Sequence, residues 1–355
     1  MAGDLGPGRW AAEDTSPGDI EKALRELLKE RFAEHDTFAP ARVLNLVVVA
    51  DYDWKGEIQN RLEQVGRNHA SRTILLAVEP GRQTLSAHAE INVEDTTASG
   101  EMVAGTEQIT IICGERHLPG LDSIVDPLVV TDLATVIWAP HGHKQGADAL
   151  LSLAQIVLVD SVNEPDSASA VQRAQELSKE AYVVDLAWLR STPWRERVAA
   201  SFDPPIWREE LRRISSVTVR HRPDSGTAAI LFFGWLATRL GWQVDSLVGQ
   251  DGSRWGKARG KRGEVTLEMK PDPTMSAPGL AGVTVATASG MSLSLDRGPG
   301  GLAATRTLAD GQSVAFTVMG ASRGEAGILG EGIRQALLRD HTYKPALEAA
   351  AAMLG

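Results

Sequence analysis

The sequence predicts an α/β N-terminal domain with a mostly parallel sheet, followed by an α+β domain with an antiparallel sheet. Three observations carry this expectation. From Arg42 onward short apolar runs alternate with helical patterns, as in a three-layer α/β unit. After about Arg212 that alternation stops, and 20 of the 34 glycines fall between Gly226 and Gly332, so turns and hairpins dominate. Several segments in the same stretch alternate apolar with polar residues, as a sheet with one solvated face requires. The expected division is an N-terminal arm and amphipathic helix over 1–41, an α/β domain over 42–212 and an α+β domain over 213–355.

Taken in order, the residues through about Thr15 read as a disordered, Gly/Pro-rich arm. Ser16 then caps a helix that Pro17 begins, with Asp19 near the positive end of its dipole. Ile20, Ala23, Leu24, Leu27, Leu28 and Phe32 follow at helical spacing and form a face that must dock on its own domain or on a partner. Val43 to Ala50 is nearly continuous apolar, as a strand covered on both faces must be. Asp53 is expected to cap the next helix, which carries Trp54, Ile58, Leu62 and Val65 on one side. Strands are expected at Ile74–Val78, at an alternating run through Ala87, Ala89, Ile91 and Val93, and at Ile109–Cys113, Ala134–Trp138, Ile156–Val159 and Tyr182–Leu186. Helices are expected near Leu121–Leu128, Ala147–Leu153 and Ser167–Ala181. In the second domain Val217/Val219, Val265/Leu267/Met269, Met291/Leu293/Leu295 and Val314/Phe316/Val318 mark one-sided strands. Thr227 to Leu240 is apolar almost all round and stops at Gly241, so it is a buried helix. Gly324–Arg339 and Ala346–Leu354 read as the last two helices.

Composition excludes several classes. The chain has 355 residues, 46 acidic against 36 basic side chains, a net charge of −10 and one cysteine, Cys113. That charge argues against gripping a nucleic-acid backbone. One cysteine permits no intramolecular disulfide and no all-cysteine zinc site. The longest apolar stretch, Ala228 to Ala237, is about half what a bilayer needs, and Met1 to Asp19 has no hydrophobic core region of a secretory signal. A cytoplasmic protein is expected.

Motifs that carry chemistry are few. There is no Walker A sequence, and Asp51-Tyr52-Asp53 stands where a dinucleotide fold wants glycines. Gly298-Pro299-Gly300-Gly301 precedes a strand-like stretch and reads as a hairpin turn. Gly320-Ala321-Ser322-Arg323-Gly324 fits a nucleophile elbow, but the one histidine after it, His341, ends the helix that Ser322 would begin, roughly 25 Å away. Asp51, Asp53, His117, His141, His143 and Asp160 gather at the carboxyl ends of the expected parallel strands, where ligands bind open α/β sheets. They define the alternative reading, a sugar-phosphate or nucleotide-binding enzyme with His141 and His143 as metal ligands beside Asp160 or Asp51. Two further segments point to a partner. Arg254, Lys257, Arg259, Lys261 and Arg262 crowd one glycine-rich run with Trp255, which reads as a solvated hairpin tip, a phosphate or nucleic-acid contact, or a docking patch for an acidic partner. Trp188, Arg190, Thr192, Pro193, Trp194 and Arg195 form the least ordinary stretch, with Thr192 read as a helix cap and Pro193 as the first helical residue. It is either a packing knot at a domain boundary or a protein–protein hot spot, since Trp and Arg serve both.

The segment Asp185-Leu186-Ala187-Trp188-Leu189-Arg190-Ser191-Thr192-Pro193-Trp194-Arg195 resembles the D-L-A-W-x-R-x-T-P-W-R signature of the glucose-6-phosphate dehydrogenase assembly protein family, OpcA. Ala41-Arg42-Val43-Leu44-Asn45-Leu46, Ser71-Arg72-Thr73-Ile74, Pro140 after Ile137-Trp138, and the helix from Gly330-Glu331-Gly332-Ile333 to Tyr343 resemble the family in the same order. The chain departs from the pattern at Trp138-Ala139, where relatives often carry a tryptophan pair, and at Ser71, where they often carry cysteine. The resemblance implies a non-catalytic assembly factor and allosteric activator that binds glucose-6-phosphate dehydrogenase and favours its active oligomer, with no cofactor, no metal, no nucleic acid and no membrane. Partner-binding residues are then expected at Trp188, Arg190, Thr192, Pro193, Trp194 and Arg195, and second at Arg254, Lys257, Arg259, Lys261 and Arg262.

Overall fold

Among the described residues, ten strands build the first sheet: β1 (Gly3–Asp4), β2 (Arg9–Ala12), β3 (Phe38–Pro40), β4 (Leu44–Asp51), β5 (Ser71–Val78), β6 (Ser86–Val93), β7 (Val103–Cys113), β8 (Ala134–Trp138), β9 (Ile156–Val159) and β10 (Tyr182–Asp185). The structure is a computed structural model that describes residues 3–4, 8–34, 38–40, 42–66, 70–93, 103–250, 252–298, 301–319 and 324–355. The strand order is β1-β2-β6-β7-β5-β4-β8-β9-β10, with β3 beside β7. The sheet is mixed, which corrects the mostly parallel expectation. β7, β5, β4, β8 and β9 run parallel, whereas β1, β2 and β6 pair antiparallel down to β7. The reason is the link Glu79–Leu85, which is too short for a helical crossover, so the chain reverses instead. The opening arm is also corrected. Arg9–Ala12 pairs with β6 in register, and Arg9 salt-bridges Glu90 at 2.7 Å.

Helices α1 (Pro17–Glu34), α2 (Lys55–Gly66), α3 (Leu121–Val125) and α4 (Lys144–Ala149) accompany these strands. At the start of α1 the Ser16 hydroxyl donates to Asp19 (2.6 Å) while the Asp19 N–H donates back to that hydroxyl (3.3 Å), a reciprocal cap. Ile20, Ala23, Leu24 and Leu27 are buried, so this face docks within its own chain. The expected Asp53 cap is corrected: a single 3-10 turn, Tyr52–Trp54, follows β4 with Asp51 in the cap position, and α2 begins only at Lys55. Two compact units divide the chain. The first holds Met1–Val159, Glu180–Val184 and Leu329–Leu337, and the second Asp160–Lys179, Asp185–Ile328 and Leu338–Gly355.

After α5 (Ser167–Glu180), the helices α6 (Leu186–Arg190), α7 (Thr192–Phe202) and α8 (Pro205–Arg208) lead to the second sheet. Its strands are β11 (Ile214–His221), β12 (Gln243–Val244), β13 (Val248–Gln250), β14 (Ser253–Gly260), β15 (Gly263–Pro271), β16 (Leu280–Thr287), β17 (Ser292–Gly298), β18 (Gly301–Thr307) and β19 (Ser313–Met319). They are ordered β12-β14-β15-β11-β16-β17-β18-β19, with β13 beside β14. All described pairings are antiparallel except β11 with β15, which the long passage through α9 (Gly226–Leu240) makes parallel. The antiparallel expectation is corrected at that one pair. Val217, Val219, Val265 and Leu267 are buried on one face, as is α9, which ends at Gly241 with φ +67°, a value that favours glycine. Helices α10 (Gly324–Leu338) and α11 (Tyr343–Leu354) complete the chain. The expected buried face of β19 is corrected, because that strand forms the sheet edge and Val314 is 61% exposed. The Gly298–Gly301 pair closes a β17–β18 hairpin whose Pro299 and Gly300 lie outside the described residues, as does the Gly320–Arg323 elbow candidate. Among the described residues no helix is long and apolar enough to cross a membrane.

Candidate partner-binding site

The tryptophan–arginine signature begins at Asp185, the last residue of β10 and the cap of α6. Its carboxylate is fully buried and accepts from the Ala187 N–H (2.9 Å), the Ser161 N–H (3.2 Å) and the Ser161 hydroxyl. Burial raises its pKa to about 6, partly offset by the Ser161 bond. Arg190 forks onto Asp160, Nη1 to Oδ1 at 2.8 Å and Nη2 to Oδ2 at 2.7 Å, with both side chains largely buried. Trp188 is 1% exposed. Its indole N–H donates to Asp340 (2.8 Å), and its ring lies 5.6 Å from that of Tyr343. Burial pushes the Asp340 carboxyl up, but hydrogen bonds from Thr342 and Trp188 outweigh it and hold the group below its ordinary value.

Arg195 covers the Trp188 ring, its guanidinium carbon 3.4 Å from the centroid. One nitrogen donates to the Thr192 hydroxyl (2.8 Å) and the Trp188 carbonyl (3.2 Å), and Nε donates to the Ser191 hydroxyl (3.2 Å). Burial lowers its pKa to about 10, so it stays charged near neutrality. Thr192 is the first residue of α7 and Ser191 takes the cap position, one residue earlier than expected, with Pro193 inside the first turn. Trp194 is 2% exposed. Trp188, Trp194, Arg195 and the Arg190 side chain are therefore buried, Thr192 is half-buried beside Arg195, and Pro193 is exposed on the first turn of α7.

The second segment has the opposite disposition. Arg254 to Gly260 lie in strand β14, and Lys261 and Arg262 form the turn into β15. Period-two geometry turns Trp255, Lys257 and Arg259 to solvent and buries Gly256 and Ala258. A side chain at Gly256 would collide with Leu247, so only glycine lets the neighbouring segment approach there. Trp255 is 56% exposed and faces Val248 of β13, itself 50% exposed. The basic groups have acidic neighbours: Lys257 with Glu264 (2.8 Å), Arg259 with Asp245 (3.9 Å) and Arg262 with Glu209 (3.3 Å). An exposed indole on a paired strand, ringed by exchangeable surface ion pairs, is a surface a protein can dock on.

In the first unit, Asp51, His141 and His143 do converge. His143 Nε2 lies 2.7 Å from Asp51 Oδ1, and the Asp51 N–H donates to His141 Nδ1 at 3.1 Å. Burial lowers the His141 pKa, and that nitrogen's lone pair is already used. His117 accepts the Gly114 N–H through Nδ1 (3.0 Å), and Asp53 is exposed. Asp160 is held by Arg190. Among the described residues no group of three or more His, Cys, Asp or Glu side chains is arranged to hold a metal ion. Sequence reasoning missed Asp340, Tyr343 and Ser161. Asp340 stands 152 residues from Trp188, and no local pattern signals that contact. The exposure of Trp255 was signalled by the small residues Gly256 and Ala258 alternating with it.

Two family models match the chain. One is the N-terminal domain of the glucose-6-phosphate dehydrogenase subunit, over residues 62–176, and the other is the C-terminal domain of the same subunit, over 181–347. Among curated proteins, the OxPP cycle protein OpcA of Synechococcus elongatus is 26% identical over 167 residues, 46% of this chain and 38% of that protein. The protein of the same name from Synechocystis sp. is 30% identical over 160 residues, 41% of this chain and 34% of that protein. The chain thus spans little more than a third of the length of these relatives. Among solved structures, the WlbA dehydrogenase from Thermus thermophilus is 13% identical with a TM-score of 0.43, covering 88% of this chain and 94% of that one. The scyllo-inositol dehydrogenase from Lactobacillus casei is 14% identical with a TM-score of 0.43, covering 88% and 95%. Likeness of that order assigns this chain neither cofactor nor reaction.

Proposed function

This chain belongs to the glucose-6-phosphate dehydrogenase assembly protein family, OpcA, and from that premise we propose that it is a non-catalytic cytoplasmic partner that binds glucose-6-phosphate dehydrogenase and favours its active oligomer. The observation that carries the reading is the pair of matches, both to domains described as belonging to a subunit of that dehydrogenase, which run almost without a gap from 62 to 347. Such a protein needs only to bind one state of the enzyme more tightly than the other. A difference of about 1–3 kcal/mol shifts the equilibrium several-fold to over a hundredfold.

For the contact we favour the solvent face of β14, with Trp255 as anchor, Lys257 and Arg259 beside it, and Lys261 and Arg262 at its margin; Arg254 lies on the opposite face of the strand, with Gly256 and Ala258. The exposure of Trp255 supports this assignment. In the same reading Trp188, Arg190, Thr192, Pro193, Trp194 and Arg195 act from beneath, by fixing the unit that presents the surface. The test mixes the pure chain with the dehydrogenase of the same organism and records complex mass and reaction rate together. A complex at micromolar concentration with a raised rate is expected. No complex and no rate change, or turnover by this chain alone, would overturn the proposal.

A further inference from the structure

The face of the second sheet turned away from its buried valines carries a row of hydroxyls. Thr218 of β11 stands opposite Thr284 of β16, Thr284 opposite Ser294 of β17, and Ser294 opposite Thr305 of β18. All four are partly exposed, whereas Val217, Val219, Val283, Val285 and Leu293 beside them in sequence are buried on the other face. One step along the strands the pattern repeats with Ser216, Ala286, Ser292 and Thr307. One step the other way, Arg220, Gly282 and Asp296 are in register, and Arg220 bonds Asp296 directly across the glycine. Any side chain at Gly282 would collide with that guanidinium, so the glycine lets the ion pair lie flat on the sheet.

Two quantities say what such a face fits. Its charges cancel in place, Arg220 with Asp296 and Lys270 with Glu268 (2.9 Å), on a chain whose net charge is −10. It is therefore the surface across which two copies of an acidic protein approach without repulsion. Hydroxyls both donate and accept, so one patch complements itself about a two-fold axis, as an isologous interface requires. Its size also suits. The six strands β15, β11, β16, β17, β18 and β19 are seven to nine residues long. At about 4.8 Å apart they make a patch of roughly 700 Å², close to the ~800 Å² each partner contributes to a standard stable interface.

We propose that this hydroxyl face is the interface between two copies of this chain, with the axis near Thr284 and Ser294. Trp255 lies three strands from Thr284, roughly 14 Å, and stays at the rim, open to another protein. The inference does not depend on the dehydrogenase reading, and its test leaves the dehydrogenase out. Sedimentation of the pure full-length chain from nanomolar to high-micromolar concentration is expected to pass from the mass of one chain to that of two. Thr284→Lys and Ser294→Lys, which bring like charges together across the axis, are expected to raise the dimer Kd at least tenfold with unchanged circular dichroism. Thr305→Lys, outside the central strands, serves if those variants do not fold. A single-chain mass for the native protein at every concentration overturns the proposal. So do folded lysine variants that dimerise as before. If the native chain is a monomer and the same variants instead lose the dehydrogenase, the face belongs to that enzyme and the proposal fails.

Discussion

Residues 188–195 and 254–262 have nearly the same ingredients, tryptophan and arginine in close succession, and end with opposite exposures. Trp188 and Trp194 are 1% and 2% exposed, while Trp255 is 56% exposed. The period of the backbone decides. In the helical segment Leu186, Ala187 and Leu189 are apolar as well, so the short α6 has no side that can face water, and its polar groups must find partners inside. In the strand, every second residue from Gly256 on is glycine or alanine, so Trp255, Lys257 and Arg259 share the solvent face and only Arg254 lies on the other. Composition alone marks a tryptophan–arginine cluster; periodicity says whether it holds the protein together or offers it to something else.

The widest separation between the two regions is in stability. Trp188→Ala is expected to cost about 3–5 kcal/mol, because it opens a cavity, removes one hydrogen bond from the half-buried Asp340 and strips Arg195 of the ring it covers. Chemical denaturation measures it. A loss under about 1 kcal/mol would mean the cluster is not structural, and the comparison would collapse. Trp255→Ala is the counterpart. Stability is expected to stay within about 0.5 kcal/mol, as for a surface site, while affinity for the dehydrogenase falls at least tenfold, the loss of an interface anchor worth about 2 kcal/mol. Titration calorimetry with the folded variant separates the two effects.

Beneath the signature the comparison sharpens through pH. Burial raises Asp185 from 3.8 to about 6. Between those values the folded chain keeps a proton that the unfolded chain has released. The contribution is thus fully present below the unfolded value and is lost as pH rises through about 6. Asp185→Asn is expected to remove that slope, about 2 kcal/mol between pH 4 and 6, in denaturation curves at several pH values. An unchanged slope would assign it to other carboxyls. The exposed strand has no counterpart of this buried acid.

How much of this could be read beforehand follows the same division between local and distant determinants. The Ser16 cap, the stop of α9 at Gly241 and the one-sided strands Val265/Leu267/Met269 and Met291/Leu293/Leu295 are set by near neighbours, and the sequence carries them openly. The reversal at β6 depended on a connection length rather than on a residue type, and the apolar run of β7 looks the same whether its neighbours run parallel or not. Val314 alternates like a buried strand but sits at an edge, a position only the strand order reveals. In the candidate site, Trp188 and Arg195 were found by type. Their partners Asp340 and Tyr343 come from the far end of the chain, and nothing around those residues marks them.

The smallest expected effect concerns the charges beside Trp255. Arg259 and Asp245 are 3.9 Å apart with both side chains more than half exposed, and such a pair adds little to folding. Arg259 can therefore exchange Asp245 for a carboxylate of a docking partner at little cost. Arg259→Ala is expected to leave the denaturation midpoint unmoved and to slow association with the dehydrogenase about threefold at low salt, with the difference vanishing at high salt. Stopped-flow association at two ionic strengths reads both numbers. If instead the dissociation rate rises and salt has no influence, Arg259 is a desolvated contact in the bound state rather than a steering charge, and the anchor region extends along β14 from Trp255 to the turn at Lys261.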